Sequence, residues 1–464
     1  MSENNSYSKK QKKLIRQMKK QFGFKCAARQ FDQRRLSPFG GYIDVLNFSH
    51  ALRIKETISK RFNPAKSTHR FYSDADILQR LLDLTILGID RIENADLLYN
   101  DTLLRQLRDL NCDPSPSTLR RELENCYAKD ITDLEEINTD LLENQSNFST
   151  SPQEVTLLID LTPINSYGQQ QRARAGFNHR KTKKCFQALI ATIQETQDII
   201  KIDLKPGNFL PSAQKMKKFM SECLSLIPSH LKVVKVRLDS GFWSFPLLNF
   251  LEENNLEYFV KGTLKNNTPL TSLPSRIPEK NWTRVPQTTI WVSCKMQYYS
   301  SKYKKSYPLI FIREKTKKSD NKQLEIELGP NYSYRPLFSN SFKTPLKIYK
   351  TYNKGALVED VIKEVKNEFF LDKISSHKFK ANYAFLKIKV IAYNILNAFK
   401  RLIIKGRWAT RSARTIRNWL IKIPCLISSH GKGMKLIYAD NLKLKSFLNS
   451  ISTSVWNFSI QALE

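Results

Sequence analysis

Hydrophobic residues change their spacing along the chain, and the changes mark its parts. Between 71 and 130 they recur at helical intervals, as in SDADILQRLLDLTILGI (73–89). SPSTLRRELENC (115–126) predicts another helix, with Ser115 as N-cap and Pro116 at the first helical position. Leu119 and Leu123 share one face of it, and Arg120 and Arg121 point outward as a solvated basic face or a DNA-reading one. From 155 the pattern shortens to strands. VTLLIDLT (155–162), CFQALIATI (185–193) and IIKIDL (199–204) are three in succession. A helix over 212–226, a strand KVVKVRL (232–238), a helix over 245–254 and a strand EYFVKG (257–262) follow. Three strands and then alternation predict a mixed α/β sheet flanked by helices.

Residues 263–345 interrupt this alternation with TTIWVSCKMQYY, YPLIFIREK and LEIELG, which predict a β-rich insertion. Helical spacing returns over 346–370 and 381–404, and the remainder is basic with interleaved tryptophans. The expected organisation is a basic arm (1–36), a helical DNA-binding region (37–150) and a sheet domain in two parts (151–262 and 346–404). The insertion (263–345) separates those parts, and a basic C-terminal region (405–464), expected to be helical, ends the chain.

Composition narrows the partners. The 464 residues are 41% hydrophobic and 11% aromatic, as in a globular protein. Lys and Arg number 76 against 43 Asp and Glu, a net charge of +33. Such an excess repels itself unless a polyanion neutralises it, so nucleic acid leads, ahead of an anionic membrane surface or the ribosome. The lysines near the N-terminus precede no apolar run, against a signal peptide, and no stretch reaches the ~18 apolar residues that span a bilayer. Seven scattered cysteines without a CxxC pair suit reduced thiols in the cytoplasm and argue against zinc; the six histidines form no HExxH.

The candidate chemistry is carboxylate. KVVKVRL runs straight into Asp239, followed by Ser240 and Gly241. A lone Asp there most often starts a turn. Asp160, however, ends TLLID in the same way. If the two strands are neighbours their carboxylates converge, and like charges at close range call for a cation such as Mg²⁺. A third acid lies in YNKGALVEDVIKEVKNEF: Tyr352, Glu359 and Lys366 are spaced to share one helical face, with Lys363 beside Glu359. By itself such a Glu–Lys pair is usually solvated.

Together these residues resemble a known family. Asp160, Asp239 in RLDSGF, and Glu359 with Tyr352 and Lys366 are similar to the Asp-Asp-Glu triad of bacterial insertion-sequence DDE transposases of the cut-and-paste type. That group carries a Tyr-Arg-Glu-Lys pattern and a β insertion between the second Asp and the Glu. YGQQQ (167–171), LKPGNFLPSA (204–213) and the helical text at 88–107 and 115–124 also fit, and the likeness spans roughly 70–430. One departure stands out: the family's Arg falls on Gly355.

The resemblance implies a ribonuclease H-like fold and a metal nuclease. Asp160, Asp239 and Glu359 would be both catalytic and metal-binding, holding two Mg²⁺ ions, with Mn²⁺ as substitute. Tyr352, Lys363 and Lys366 would contact DNA. The partners implied are double-stranded transposon ends and target DNA, bound by a homodimer in the bacterial cytoplasm at the nucleoid, with no membrane. Competing readings are a decayed transposase that only binds DNA, favoured by Gly355, and another ribonuclease H-like nuclease. Trp282 or Trp291 could stack on a flipped base or serve as core, and 401–417 is a candidate DNA-backbone surface.

Overall fold

A computed structural model describes residues 8–22, 35–62, 71–99, 101–146, 153–176, 184–264, 269–315, 332–354, 356–430 and 433–462. Gly355 and the segment LEIELG (324–329) lie outside the described residues.

The N-terminal third is helical: α1 (Lys9–Phe22), α2 (Tyr42–Ala51), α3 (Ile54–Arg61), α4 (Asp74–Leu87), α5 (Thr102–Leu107), α6 (Pro116–Glu124) and α7 (Ala128–Glu143). The arm expected over 1–36 thus contains a 14-residue helix, rich in lysine, whose described side chains are exposed. Local signals hold at the caps. Ser73 closes a capping box on α4 with Asp76, and Ser115 accepts the Thr118 N–H ahead of Pro116 in α6. Leu119 and Leu123 are buried, and the outward Arg120 pairs with Glu93.

Beyond the helices lies the mixed sheet. Its strands are β1 (Gln153–Asn165), β2 (Lys184–Ile193), β3 (Ile199–Pro206), β4 (Leu231–Leu238) and β5 (Glu257–Lys261). Spatially they run β3-β2-β1-β4-β5. The first three form an antiparallel meander, and β4 and β5 are added parallel to β1. That is the ribonuclease H-like order: two antiparallel links, then crossovers through helices α8 (Ala213–Ser225) and α9 (Phe245–Glu253). β1 sits in the middle and is buried on both sides, which is why it reads as a near-continuous apolar run.

The insertion contributes β6 (Trp282–Arg284), β7 (Ile290–Ser293), β8 (Met296–Ser300), β9 (Lys305–Lys315) and β10 (Tyr332–Phe338). TTIWVSCKMQYY is therefore two strands, separated at Cys294 and Lys295. β10 pairs with β5 through Leu337↔Lys261 and Phe338↔Val260, so the insertion extends the same sheet. Inside it, Arg313 lies 4.3 Å from the Trp282 ring centroid, 5.0 Å from Trp291 and 4.5 Å from Tyr332, and it forks onto Glu279 at 2.7 and 2.6 Å. Both tryptophans thus serve a cation–π cluster, not an open platform.

Helices α10 (Pro345–Asn353), α11 (Ala356–Glu368) and α12 (Phe379–Leu402) return to the sheet. α12 is buried along most of its length between α4, α7 and β3. Asn394 at its centre is fully buried: it accepts the Ile199 N–H at 3.0 Å and donates to the Ile199 carbonyl at 2.9 Å and to Asn138 at 2.7 Å. One sheet face, with Leu158, Phe186 and Ile202, packs on these helices; the other, with Leu157, Ile159 and Val236, packs on α8 and α9.

The region from 405, expected to be helical, also carries strands. Cys425–His430 (β11) and Gly433–Tyr438 (β12) form a hairpin, and Leu36 and Ser37 pair along its edge. Strand-length alternation in CLISSH and GMKLIY outweighs their helical neighbours. α13 (Leu442–Gln461) then packs on α2, with Phe458 4.9 Å from Phe48. Of the basic residues in 401–417, Arg417 alone is buried, whereas Arg401, Lys405, Arg407, Arg411 and Arg414 are exposed. Arg401 pairs with Asp198 at 2.9 Å and Arg414 with Glu368 at 3.2 Å. Arg417 is buried and donates to the Ile86 and Thr85 carbonyls at the end of α4. There Gly88 (φ +81°) closes α4 in the left-handed region, and a Cβ would meet Arg417 Cδ at 2.9 Å. No helix among the described residues is long and apolar enough to cross a membrane.

Candidate active site

The parallel register of β1 and β4 decides where the first two acids sit. Its last pair is Ile159↔Leu238, so Asp160 and Asp239 are the next residues on adjacent strands. Ile159 and Leu238 belong to the core under α8 and α9. Side chains alternate along a strand, so Asp160 turns to the opposite face, toward α11. Asp239 keeps an extended backbone (φ −81°, ψ 170°) and continues the same alternation.

Two expectations need correction. Asp160 is not at a strand end: β1 runs on to Asn165, because antiparallel pairing with β2 continues from Asp160↔Ile190 to Asn165↔Cys185. It marks the end only of the parallel pairing. Nor do Tyr352, Glu359 and Lys366 share one helix. α10 stops at Asn353 and α11 starts at Ala356. Asn and Gly are weak helix formers, and Asn353-Lys354-Gly355 offers the helix little reason to continue. Tyr352 reaches the acids by a tertiary contact, its hydroxyl 3.4 Å from Asp239 Oδ1.

Electrostatics ties the rest together. Burial pushes the Asp160 carboxyl up to about 6; the Leu161 N–H, at 2.7 Å, opposes this, the charges of Asp239 and Glu359 add to it, and Lys366 offsets them. Lys366 lies along α11 from Glu359 and donates to the Pro163 carbonyl at 3.0 Å. Its own pKa is lowered by burial, with Asp372 and Asp160 acting the other way. Burial, then the Asp239 charge, pushes the Tyr352 phenol up to about 12. Lys363 is placed elsewhere: it is exposed and lines a separate cleft with Asp360, Asn367, Lys400 and Arg411.

Two basic residues of the site escaped the sequence reading. Lys261, the last residue of β5, sets its ammonium 3.3 Å from Asp239 Oδ1. Arg237, two residues before Asp239, stacks its guanidinium 4.5 Å from the Tyr352 ring centroid. Both had a signal. Arg237 shares a strand face with Asp239, and Lys261 ends EYFVK as Asp239 ends KVVKVRL.

Among the described residues, no three His, Cys, Asp or Glu side chains close into a ready metal-ligand set. The donor chemistry nevertheless suits a hard divalent ion. The charges of Asp239 and Glu359 help push Asp160 up, a pattern that a cation held beside it would relieve.

A model of the family "Transposase DDE domain group 1" matches residues 20–459. Among solved structures, a piggyBac transposase synaptic complex with hairpin DNA is similar at 14% identity and a TM-score of 0.42, over 92% of this chain and 82% of that one. A Mos1 transposase paired-end complex with the left transposon end is similar at 15% identity and a TM-score of 0.17, over 42% and 60%. No curated protein matches the chain.

Proposed function

The chain belongs to the DDE transposase family, and from that premise we propose that it binds the ends of an insertion sequence and cuts and rejoins DNA there with Asp160, Asp239 and Glu359. The observation that carries this reading is the placement of Asp160 and Asp239 side by side beyond Ile159↔Leu238, with Glu359 and Lys366 coupled to Asp160.

Asp160, Asp239 and Glu359 are the residues that would hold Mg²⁺ or Mn²⁺. Two such ions, when bound, activate an attacking oxygen and stabilise a leaving one in an in-line phosphoryl displacement. The protein's part is positioning and charge. β1 and β4 carry Asp160 and Asp239 at neighbouring positions, and Lys366 ties α11, which carries Glu359, to β1. Lys261 and Lys366 make the surroundings positive, which favours a phosphodiester at the carboxylates. Tyr352 and Lys366 lie beside the place a scissile phosphate would take, and exposed Lys363 adds charge further along α11.

In the cleavage step a water oxygen attacks phosphorus and the bond from phosphorus to the 3′ oxygen breaks. A 3′ hydroxyl and a 5′ phosphate result. In the transfer step that 3′ hydroxyl attacks another phosphodiester, on the opposite strand or on target DNA, and a new bond replaces the one broken. A homodimer would bring two ends together for this, in the cytoplasm at the nucleoid.

The test is incubation of the full chain with DNA carrying the element's native flanks, scoring strand breaks with and without Mg²⁺. Metal-dependent breaks at the ends, absent from Asp160→Asn, Asp239→Asn and Glu359→Gln, are expected. Tight end binding without breaks in Mg²⁺ or Mn²⁺ would leave a DNA-binding protein without chemistry.

A further inference from the structure

Arg237 occupies a place where the sheet calls for an apolar residue. Its neighbours in register are Leu158 on β1 and Phe259 on β5, each 1% exposed. Leu158 belongs to the core under α12, whereas Phe259 belongs to a smaller core with Ile348 and Tyr349 of α10. The guanidinium therefore sits at the seam between two apolar clusters, directly before the carboxylate row.

Its bonding is incomplete. Nε and Nη1 are shut off from solvent and have no hydrogen-bond partner. A buried unpaired donor destabilises the fold, and native proteins keep few of them without a use. What Arg237 does have is Tyr352, whose ring centroid lies 4.5 Å from the guanidinium carbon. The same phenol reaches Asp239 Oδ1 at 3.4 Å, at the long end for an O–H···O bond, while Lys261 approaches the same oxygen at 3.3 Å. The contacts form a chain: β4 guanidinium, α10 phenol, Asp239 carboxylate, β5 ammonium.

We propose that Arg237 is a positioning residue of the carboxylate site: stacked on Tyr352, it delivers the phenol hydroxyl to Asp239 and so fixes that carboxylate against Lys261. The inference rests on reading Asp239 as part of the cleavage site. Two of its nitrogens are sealed, and the contact it offers the site is the one with Tyr352. The stacking also explains the choice of Arg. A planar guanidinium packs flat on a ring, whereas a lysine ammonium keeps the charge but is compact and strongly hydrated.

The test uses the full chain with 3-fluorotyrosine at position 352, read by ¹⁹F NMR, alongside single-turnover cleavage of end DNA. In Arg237→Met the ¹⁹F resonance should move toward that of a free phenol. Cleavage at saturating DNA should fall about 10- to 100-fold, the range seen when a partner of a ligating side chain is removed. DNA affinity should change by less than about threefold, because the phosphate-binding charge lies elsewhere. Arg237→Lys should restore little of either signal, and it serves as the reporter if the Met variant folds poorly. Because Arg237 works through Tyr352, Arg237→Met combined with Tyr352→Ala should cleave no more slowly than Tyr352→Ala alone. An unmoved ¹⁹F resonance in both Arg237 variants, or additive losses in the double variant, overturns the proposal. A wild type that cleaves no DNA would overturn the cleavage reading instead, and the ¹⁹F measurement would still decide the role of Arg237.

Discussion

The Lys366 ammonium donates to the Pro163 carbonyl at 3.0 Å, and this bond ties α11 to β1 three residues beyond Asp160. Seven residues, two helical turns, separate Lys366 from Glu359. The tie therefore anchors to the sheet the helix that carries Glu359. It also puts a cation beside Asp160, which offsets the acids around it.

Lys366→Met should loosen that tie without emptying the site. Stability should drop by about 1 kcal/mol, the net worth of an ordinary hydrogen bond, in urea unfolding. Cleavage at saturating DNA should drop about 10- to 100-fold, as for the loss of an orienting partner. Unchanged cleavage would mean that Glu359 is placed by α11 packing alone.

Asp160→Asn should stabilise the metal-free protein while abolishing cleavage. The folded carboxyl titrates at about 6, above its ordinary value of 3.8, chiefly because it is buried. The folded state thus holds the proton more tightly than the unfolded chain. That contribution is complete below 3.8 and is lost as pH rises through about 6, so ionised Asp160 costs the fold at neutral pH. The Asn variant should gain on the order of 2 kcal/mol at pH 8, with the gain shrinking toward zero near pH 4. Denaturant titrations across that range in chelator decide it; a gain that does not vary with pH would rule out the carboxyl as its source.

Binding to DNA should weaken steeply with salt. A chain of net charge +33 displaces counterions from many phosphates. Plotted as log affinity against log salt, end-DNA titrations should give a slope of several units. A flat line would assign the charge to another partner.

Asn394→Leu should damage the fold and not the chemistry. Asn394 is fully buried and satisfies both the Ile199 N–H and its carbonyl where the pairing of β3 with β2 shifts register. Leu fills similar space but takes the partner from the Ile199 N–H and from Asn138 Oδ1, at a cost of about 2–4 kcal/mol, while Asn138 still donates to the Ile199 carbonyl. Calorimetry should show a Tm lower by several degrees, since about 1 kcal/mol moves Tm by a few degrees in chains of this size or smaller. Residual folded protein should cleave at the wild-type rate.

The family and the outline of the fold were legible from local chemistry. The apolar runs of β1 to β5, the Ser73 and Ser115 caps, and Asp160 and Asp239 after their strand patterns all follow from spacing that near neighbours impose. Period and propensity act over a few residues, so a linear reading recovers them. Long-range pairing is another matter. Nothing in VTLLIDLT says that β2 will carry β1 on past Asp160 to Asn165, or that Ile159 will face Leu238. Nor does the spacing of Tyr352, Glu359 and Lys366 reveal that the helix breaks before Ala356 and that Tyr352 reaches Asp239 across space. Arg237 and Lys261 looked like ordinary basic residues in a basic chain. They join the site because register places them beside Asp239, and register is set by the packing of whole sheet faces. Local spacing is enough to pick out the charged residues carried in or just after the strands. Which of those charges meet is a property of the folded sheet, because convergence depends on the pairing of strands far apart in the chain.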